Sequence, residues 1–181
     1  MRCSWCESSE LYIKYHDEEW GKPVHDDRVH FEFLVLESAQ SGLSWITILK
    51  KRENYRKEYS NFQPEEVSKY DESKVLKMLE NPGIVRNRKK IEASINNAKR
   101  FLDIQSEFGS FDKYIWNFVS NKVVRNPWKT LEELPGKSEL SEKIAKDLKK
   151  RGFKFLGSTT VYSYLQAVGI VNDHLESCDF K

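Results

Sequence analysis

The chain has 181 residues, of which 39% are apolar, 32% charged and 13% aromatic, and its formal net charge is +2 at pH 7. This composition is ordinary for a soluble globular protein of one domain, with enough aromatic bulk for a core and a binding pocket. Three cysteines fit no framework of paired disulfides. The N-terminal residues contain no apolar run and no stretch approaches the length of a membrane span, so we expect no signal peptide and a cytoplasmic location.

Apolar residues recur at helical spacing through most of the chain, which predicts a mainly α fold. The first such helix follows Asp26-Asp27, and Ser44 is a candidate cap for the next. The predicted helices lie, in chain order, around residues 31–39, 45–49, 64–67, 75–79, 91–102, 111–118, 141–150 and 159–168. Residues 120–137 read as a loop, and Val123-Val124 is the only candidate strand.

Cysteine and histidine residues at the two ends of the chain form one candidate metal site. Cys3 and His16 lie near the N-terminus, and His174 and Cys178 lie within the last eight residues. On a helix, the spacing of the C-terminal pair would place its ligands one turn apart. Two Cys and two His form the closed tetrahedral set of structural zinc. Scattered Cys and His are also commonly packed or exposed side chains, so spacing alone leaves both interpretations open.

A carboxylate and a group of aromatic residues form the richest local pattern before residue 50. Glu37 lies inside an apolar helical segment that is followed by Gly42, Leu43 and Trp45, and the aromatic block from Tyr12 to Trp20 lies upstream. A buried carboxylate needs a cationic or donor-rich partner. An aromatic cage with one carboxylate suits a flat, electron-poor ring, which would stack on the aromatics and donate to the carboxylate. By composition alone, a core Trp and a partly exposed Glu are the favoured interpretation of the segment.

Residues 79–91 predict a helix, a tight Pro-Gly turn and a second helix with a basic first turn. A helix N-terminus with nearby cations can hold a phosphate, which is what a helix–hairpin–helix element requires. Only Gly83 is present where that element usually has two glycines, because Val85 and Arg86 occupy the place of the second. A plain connection between two helices therefore remains an alternative.

Basic residues gather in three clusters, at 50–52, 86–90 and 146–154. Any one of them could be a solvated helix face. Together, with two of them beside turns, they favour a polyanionic partner such as nucleic acid.

Several longer motifs carry a resemblance to a known family. They are Arg2-Cys3-x-Trp5, the segments 12–21, 42–52 and 149–157, and Asn172-Asp173-His174. The chain resembles the 3-methyladenine DNA glycosylase I family over nearly its whole length. The resemblance implies a mainly α, helix–hairpin–helix DNA glycosylase fold in one domain, residues 1–181. We expect a zinc-stapled terminal lobe of about 1–25 and 120–181 and a central helical lobe of about 26–119.

The resemblance also implies an activity and partners. The expected reaction is hydrolysis of the N-glycosidic bond of 3-methyladenine in alkylated double-stranded DNA. This monofunctional enzyme would release free 3-methyladenine by base excision and leave an abasic site in an uncut strand. We expect it to be a monomer. Superfamily members commonly use an Asp at the sugar, whereas this family lacks one at the corresponding position, so no general base is assigned.

Individual site residues follow from the same resemblance. Glu37 and Tyr15 match base-reading positions that we assign to catalysis, Glu37 primarily through recognition, and Trp45 matches the stacking residue. Tyr12, Trp5 and Trp20 match aromatic positions of the pocket. Gly42 and Leu43 match the segment that probes the gap left by a flipped base, and the hairpin of Gly83, Arg86 and Lys89 would lie on phosphates. One structural zinc ion would be bound by Cys3, His16, His174 and Cys178.

Two further hypotheses stay open at the level of sequence. A DNA-binding module without catalysis would keep the basic clusters but would not need Glu37 in an aromatic cage. A protein that binds a small cationic or nucleobase ligand would keep the cage but would not need the basic clusters. Cys6 has no counterpart in the family and is expected to be a spare thiol that could replace Cys178 as a ligand. His25 and His30 are expected to be ordinary surface or helix residues.

Overall fold

The computed structural model describes residues 1–181 and contains nine α-helices and one pair of very short strands. The helices are α1 (Glu10–Glu18), α2 (Asp27–Gln40), α3 (Trp45–Glu58), α4 (Pro64–Val67), α5 (Glu72–Glu80), α6 (Arg88–Phe108), α7 (Phe111–Asn117), α8 (Glu139–Lys150) and α9 (Ser158–Ala167). None of the helices has the length and apolar character needed to cross a membrane.

Short polar side chains fix where several helices begin. The Asp26 carboxylate accepts hydrogen bonds from two backbone N–H groups in the first turn of α2. Asp71 and Asn87 cap α5 and α6 in the same way, and Ser110 caps α7. These caps satisfy donors that have no partner inside the helix. α6 ends at Gly109, whose φ of 87° is the left-handed conformation that favours glycine.

The eight predicted helices are all present, with three differences in detail. Helix α1 was not among them, and it carries the upstream aromatic block. Ser44 lies at the N-cap of α3 but makes no capping bond, because its hydroxyl bonds that of Thr47 instead. Residues 174–178 are not helical, so the expectation that a helical turn separates His174 from Cys178 was wrong. After residue 172 the chain forms turns, one of which is closed by a hydrogen bond from the Cys178 N–H to the backbone oxygen of Leu175.

The predicted loop 120–137 contains a strand that pairs with the end of the chain. Strand β1 (Val124–Arg125) runs parallel to β2 (Val171–Asn172), with Val124 opposite Val171. The candidate strand Val123-Val124 was thus correct to within one residue, and its partner was not predicted. The pairing places Asp173 and His174, which follow β2 directly, beside the loop after β1.

Helix α2 is buried on all sides and forms the centre of the molecule. Ten of its residues, from His30 to Ala39, are buried, and the helix packs against α3, α6, α7 and α9. A single hydrophobic core of 42 buried residues extends through both of the lobes expected from sequence. The division into lobes therefore stays a prediction.

One charged group inside this core is fully paired. Glu32 of α2 is 1% exposed and accepts hydrogen bonds from Arg52 and Arg56 of α3 and from Arg28 of its own helix. Arg52 also binds both carboxylate oxygens of Glu19 at the end of α1. Because these buried charges compensate one another, they fix how α1, α2 and α3 pack. The basic cluster 50–52 is thus partly structural.

Candidate functional site

A cavity of about 220 Å³ lies where α1, α2, α3 and α9 meet. All six residues predicted to form the pocket line it, namely Trp5, Tyr12, Tyr15, Trp20, Glu37 and Trp45. Four further lining residues were not predicted, namely Gln40, Leu134, Ser163 and Gln166. The pocket therefore draws residues from the N-terminal quarter and from the C-terminal part of the chain.

Helical spacing explains why these residues converge. Tyr12 and Tyr15 are three residues apart on α1, and Glu37 and Gln40 are three apart on α2. Side chains three residues apart lie on one face of a helix, so each pair points to the same side. Ser163 and Gln166 follow the same spacing on α9. Polar residues at this spacing inside an apolar helix were the signal that could have revealed the α9 pair.

The aromatic rings form a walled space with several orientations. The ring centroid of Trp5 lies 4.9 Å from that of Tyr12 and 5.0 Å from that of Trp20, both in edge-on arrangements. Tyr15 and Trp45 lie 5.6 Å apart, and Phe33 stacks behind Trp45. Such packing holds each ring in place and leaves faces for a planar ligand.

Glu37 is a buried carboxylate without a protein cation. Its residue is 4% exposed, and burial raises the pKa of Glu37 from 4.5 to about 8. No neighbouring positive charge opposes this rise in pKa. A buried carboxyl with a raised pKa in a pocket is a candidate functional group, since structural carboxylates are normally paired.

Two aromatic residues beside Glu37 present polar atoms as well as rings. Burial, reinforced by the negative charge of Glu37, raises the pKa of Tyr15 well above 10, so its phenol keeps its proton and can donate. The indole Nε1 of Trp45 is buried and has no hydrogen-bond partner. A buried N–H without a partner is uncommon in folded proteins. The Tyr15 phenol can therefore donate to a polar ligand in the cavity, whereas the Trp45 Nε1 atom is buried away from it.

Gln166 reaches the pocket from a network centred on Asp173. The Asp173 carboxylate is 1% exposed and accepts hydrogen bonds from Gln166, Tyr162, Asn126 and Trp128. Four neutral donors satisfy this charge without a counterion. The network holds the Gln166 amide in one orientation and connects the pocket to the residue that precedes His174.

Three of the four predicted metal ligands lie together. The ligand atoms of Cys3, His16 and Cys178 are all within 4.8 Å of one another, and all three residues are buried. The His16 Nε2 atom lies 3.7 Å from the Cys178 Sγ atom, and His16 Nδ1 is hydrogen-bonded to Asp17. A carboxylate on the second ring nitrogen is the usual companion of a metal-binding histidine. Burial raises the pKa of Cys3 to about 12, so a cation would be needed to hold its thiolate.

His174 lies next to this group, but its ring nitrogens are not within 4.8 Å of all three ligand atoms. Its ring centroid is 4.9 Å from that of His16, and its Nδ1 is hydrogen-bonded to Asn172. Its Nε2 is buried without any partner, and burial lowers the pKa of His174 to about 4. A neutral imidazole with one free nitrogen is the form that binds a metal. The residues present therefore fit a four-ligand metal site.

The group of cysteine and histidine side chains and the pocket share a wall. The Trp20 ring lies 4.6 Å from the His174 ring, centroid to centroid, and also stacks on His16. Gly21 has a φ of 75°, and a Cβ atom there would lie 2.7 Å from the His174 ring. Glycine is therefore required for the approach of His174 to this segment.

The remaining sulfur and imidazole groups have other surroundings. Cys6 is buried and its thiol donates to the backbone oxygen of Cys3, and it is not part of the three-residue group. His25 is at the surface and bonds Asp112. The expectation for His30 was incomplete, because it is fully buried between Asp112 and the hydroxyl of Tyr164.

The segments predicted to contact DNA lie on exposed turns. Gly42 has a φ of 81° with open space around it, and Leu43 is 39% exposed. Gly83 lies between α5 and α6, where its N–H donates to Asn81, and a Cβ atom there would lie 2.8 Å from Asn54. A Cβ atom at this position would have to displace the side chains of Asn54 and Asn81, so glycine suits the packing of the hairpin on α3.

The basic cluster 86–90 divides into free and paired residues. Arg86 and Lys89 are exposed and form no ion pair. Arg88 pairs with Glu72 and Glu92, and Lys90 binds backbone oxygens of the segment after Glu37. The third cluster borders a groove of about 690 Å³ between α8 and α9, which is lined by Lys146, Lys149, Lys154 and the exposed Phe155.

Solved structures of known proteins have the same fold. A crystal structure of 3-methyladenine DNA glycosylase I aligns with a TM-score of 0.96 at 45% identity, over 99% of this chain and 98% of that one. The enzyme from Staphylococcus aureus, described with its recognition of 3-methyladenine, aligns with a TM-score of 0.96 at 38% identity, over 99% and 96%. Fold and pocket together thus define a helical DNA glycosylase.

Sequence comparisons give the family. The family model for methyladenine glycosylase matches residues 5–181. The DNA-3-methyladenine glycosylase of Haemophilus influenzae is 43% identical over 99% of this chain and 97% of its own length. The DNA-3-methyladenine glycosylase 1 of Escherichia coli K12 is 45% identical over 98% and 95%. The chain belongs to the methyladenine glycosylase family.

Proposed function

We propose that the protein removes 3-methyladenine from alkylated duplex DNA by hydrolysing its N-glycosidic bond. The observation that carries the proposal is the buried carboxyl of Glu37, which lies in an aromatic pocket without a protein cation beside it. Family membership supports the same reaction. Water adds to the sugar carbon, the carbon–nitrogen bond breaks, and the base leaves with the bonding electrons. An abasic site remains in an uncut strand.

Methylation makes this reaction possible with little acid–base assistance. A purine nucleoside methylated at N3 is cationic, so its base is a good leaving group. The protein then has to extrude the nucleotide and select the base, which is where a base-flipping enzyme uses its binding energy. Aromatic faces stack on the extruded ring, and a cationic or electron-poor ring strengthens that contact.

Polar groups of the pocket select the base by its edge. Glu37 accepts from ring or exocyclic N–H groups of the base, and the phenol of Tyr15 donates to a ring acceptor. Trp45 stacks on the ring through the face of its indole. Tyr12, Trp5 and Trp20 complete the walls. Burial raises the pKa of Glu37 to about 8, and a cationic base beside it would favour the charged carboxylate.

DNA is held by exposed turns around the pocket. Leu43, at the tip of the turn after α2, fills the gap left by the flipped base, and Gly42 permits the close approach of the strand. Arg86 and Lys89 beside Gly83 contact phosphates, since their charges are not compensated within the protein. The lysine-rich groove near Phe155 adds a second cationic surface on the same protein.

Zinc is the metal that suits the terminal cluster. Cys3, His16 and Cys178, with His174 as fourth ligand, would hold the ion, and four protein ligands would leave no position open for water. The ion would then have a structural role and would hold the two chain ends against the wall of the pocket. Trp5 and Trp20 line the pocket and their rings contact His16, so they separate the cluster from the cavity.

The direct test measures release of free bases from methylated duplex DNA by the wild type and by Glu37→Ala. The wild type should release 3-methyladenine, and the variant should lose about 10- to 100-fold in rate, the equivalent of charge-assisted hydrogen bonds. Unchanged release of 3-methyladenine by a folded variant would exclude a role of Glu37 in excision. A folded, metal-loaded wild type that binds methylated DNA without releasing base would be a binding module. One that binds only the free base would be a ligand-binding protein.

A further inference from the structure

Lys90 joins the hairpin to the turn that carries Leu43. Its side-chain Nζ donates to the backbone oxygen of Ala39 at 2.8 Å and to that of Ser41 at 2.7 Å. Lys90 belongs to the first turn of α6, directly after the hairpin, whereas Ala39 and Ser41 end α2. One ammonium group thus spans two elements that are far apart in the chain.

The placement of this charge is explained by α2 and not by α6. A cation in the first turn of a helix opposes the helix dipole, so Lys90 gains nothing from α6. At the C-terminal end of α2 the dipole favours a cation, and the last carbonyl groups have no partner within the helix. Burial lowers the pKa of Lys90, as expected for an ammonium that has left water for these carbonyls.

The turn after α2 has few other restraints. Gln40 exchanges hydrogen bonds with Leu43, through its backbone oxygen and its side-chain amide. Gly42 has a φ of 81° and no neighbouring atom within 4 Å of the place where a Cβ would lie. Lys90 is therefore the contact that ties this turn to the rest of the DNA-facing surface.

The hairpin before Lys90 is held by several hydrogen bonds. Asn87 at the end of the hairpin accepts a hydrogen bond from the backbone N–H of Lys90 at 3.2 Å. Lys51 of α3 donates to the backbone oxygen of Pro82, and Asn81 accepts from Gly83. Hydrogen bonds thus hold the hairpin against α3, fix the start of α6 and connect Lys90 to the end of α2.

We propose that Lys90 is a positioning residue that fixes the position of the Gly42–Leu43 turn relative to the phosphate-binding hairpin. This inference rests on the proposed function, in which that turn fills the gap in the duplex. When the hairpin grips the backbone, Lys90 holds Leu43 where the flipped nucleotide was. The side chain acts through protein carbonyls and not on phosphate, in contrast to its exposed neighbour Lys89.

The test compares Lys90→Met with Lys89→Met on two substrates. Each change removes one positive charge and keeps an unbranched side chain, and the two residues are adjacent. The substrates are a methylated duplex and the same methylated strand without its complement. A single strand leaves no helical gap to fill, so it requires no wedge. Binding of free 3-methyladenine, followed by tryptophan fluorescence, and thermal unfolding report whether each variant has an intact pocket.

Lys90→Met should lower kcat on the duplex by about tenfold, the equivalent of a lost charge-assisted contact. Its excision from the single strand and its binding of free base should stay within about twofold of wild type. Lys89→Met should raise KM on both substrates and leave kcat unchanged, as expected for a phosphate contact. An equal loss on duplex and single strand, or no loss, by a folded Lys90→Met would overturn the positioning role. A wild type that excises nothing would instead overturn the proposed function.

Discussion

Tyr15 and His16 are adjacent in the chain, yet their side chains enter two different sites. The Tyr15 ring lines the pocket beside Glu37, and the His16 Nε2 atom lies 3.7 Å from Cys178 Sγ in the terminal cluster. Successive residues of a helix point about 100° apart, so α1 can serve both sites with one turn. A metal at His16 would thereby fix the helix that presents Tyr15.

Replacement of His174 by Ala should reduce both the zinc content and the stability of the protein. The structure leaves the His174 Nε2 atom buried without a partner, and a bound metal would satisfy it. Loss of a structural ligand should lower Tm by roughly 2–4 °C for each kcal/mol of lost stability. Metal analysis and thermal unfolding of the purified protein, with and without a chelator, measure both effects.

Cys6→Ser is the matched control for this prediction. Cys6 is buried three residues from Cys3, but its thiol donates to a backbone oxygen and lies outside the ligand group. The variant should therefore bind as much zinc as the wild type. If Cys6→Ser lost the metal while His174→Ala kept it, the assignment of the fourth ligand would be wrong.

Glu37→Gln should change how stability depends on pH. Burial raises the pKa of Glu37 from 4.5 to about 8, so between these values the folded protein keeps a proton that the unfolded chain has released. Stability contributed by this group is therefore lost as pH rises, with a slope of up to about 1.4 kcal/mol per pH unit. The difference between wild type and Glu37→Gln in free energy of unfolding should show this slope. A difference that is flat from pH 4.5 to pH 8 would exclude a raised pKa.

Local patterns predicted helices well because each one depends on neighbouring residues. The spacing of apolar residues after Asp26-Asp27 was sufficient for α2, and α4 begins at a proline, a residue that suits the first turn of a helix. The pairing of β1 with β2 was not predictable, since two residues per strand carry no alternation and the partners lie 47 residues apart. Segment 174–178 was interpreted as helical from its spacing, but the preceding strand and turns determine its path.

The pocket was predictable through resemblance more than through spacing. Its predicted residues came from long motifs near the N-terminus, whereas Leu134, Ser163 and Gln166 enter through tertiary packing of later elements. Basic residues show the same limit. The sequence does not show which of Arg86, Arg88 and Lys89 are paired. The structure shows that Arg88 forms ion pairs with Glu72 and Glu92.

Variants of Trp45 measure how much stacking contributes to base recognition. Trp45→Ala removes the ring and should weaken binding of 3-methyladenine by about 1–3 kcal/mol, the usual value for base stacking. Trp45→Phe keeps an aromatic face and loses the unpartnered Nε1 donor. Fluorescence or calorimetric titration with the free base measures both variants. Equal affinity of Trp45→Ala and the wild type would show that the ring does not contact the base.

The exposed cations of the hairpin should determine part of the salt dependence of DNA binding. Each phosphate contact contributes about one unit to the slope of log K against log salt concentration, because binding releases counterions. Arg86→Gln and Lys89→Gln should each reduce that slope by about one unit. Arg88→Gln is the control, since Arg88 is already paired with Glu72 and Glu92 and should change the slope less. Binding of methylated duplex DNA is measured over a series of salt concentrations. The same slope for all three variants and the wild type would show that the hairpin does not contact phosphates. The groove lined by Lys146, Lys149 and Lys154 would then be the next surface to mutate.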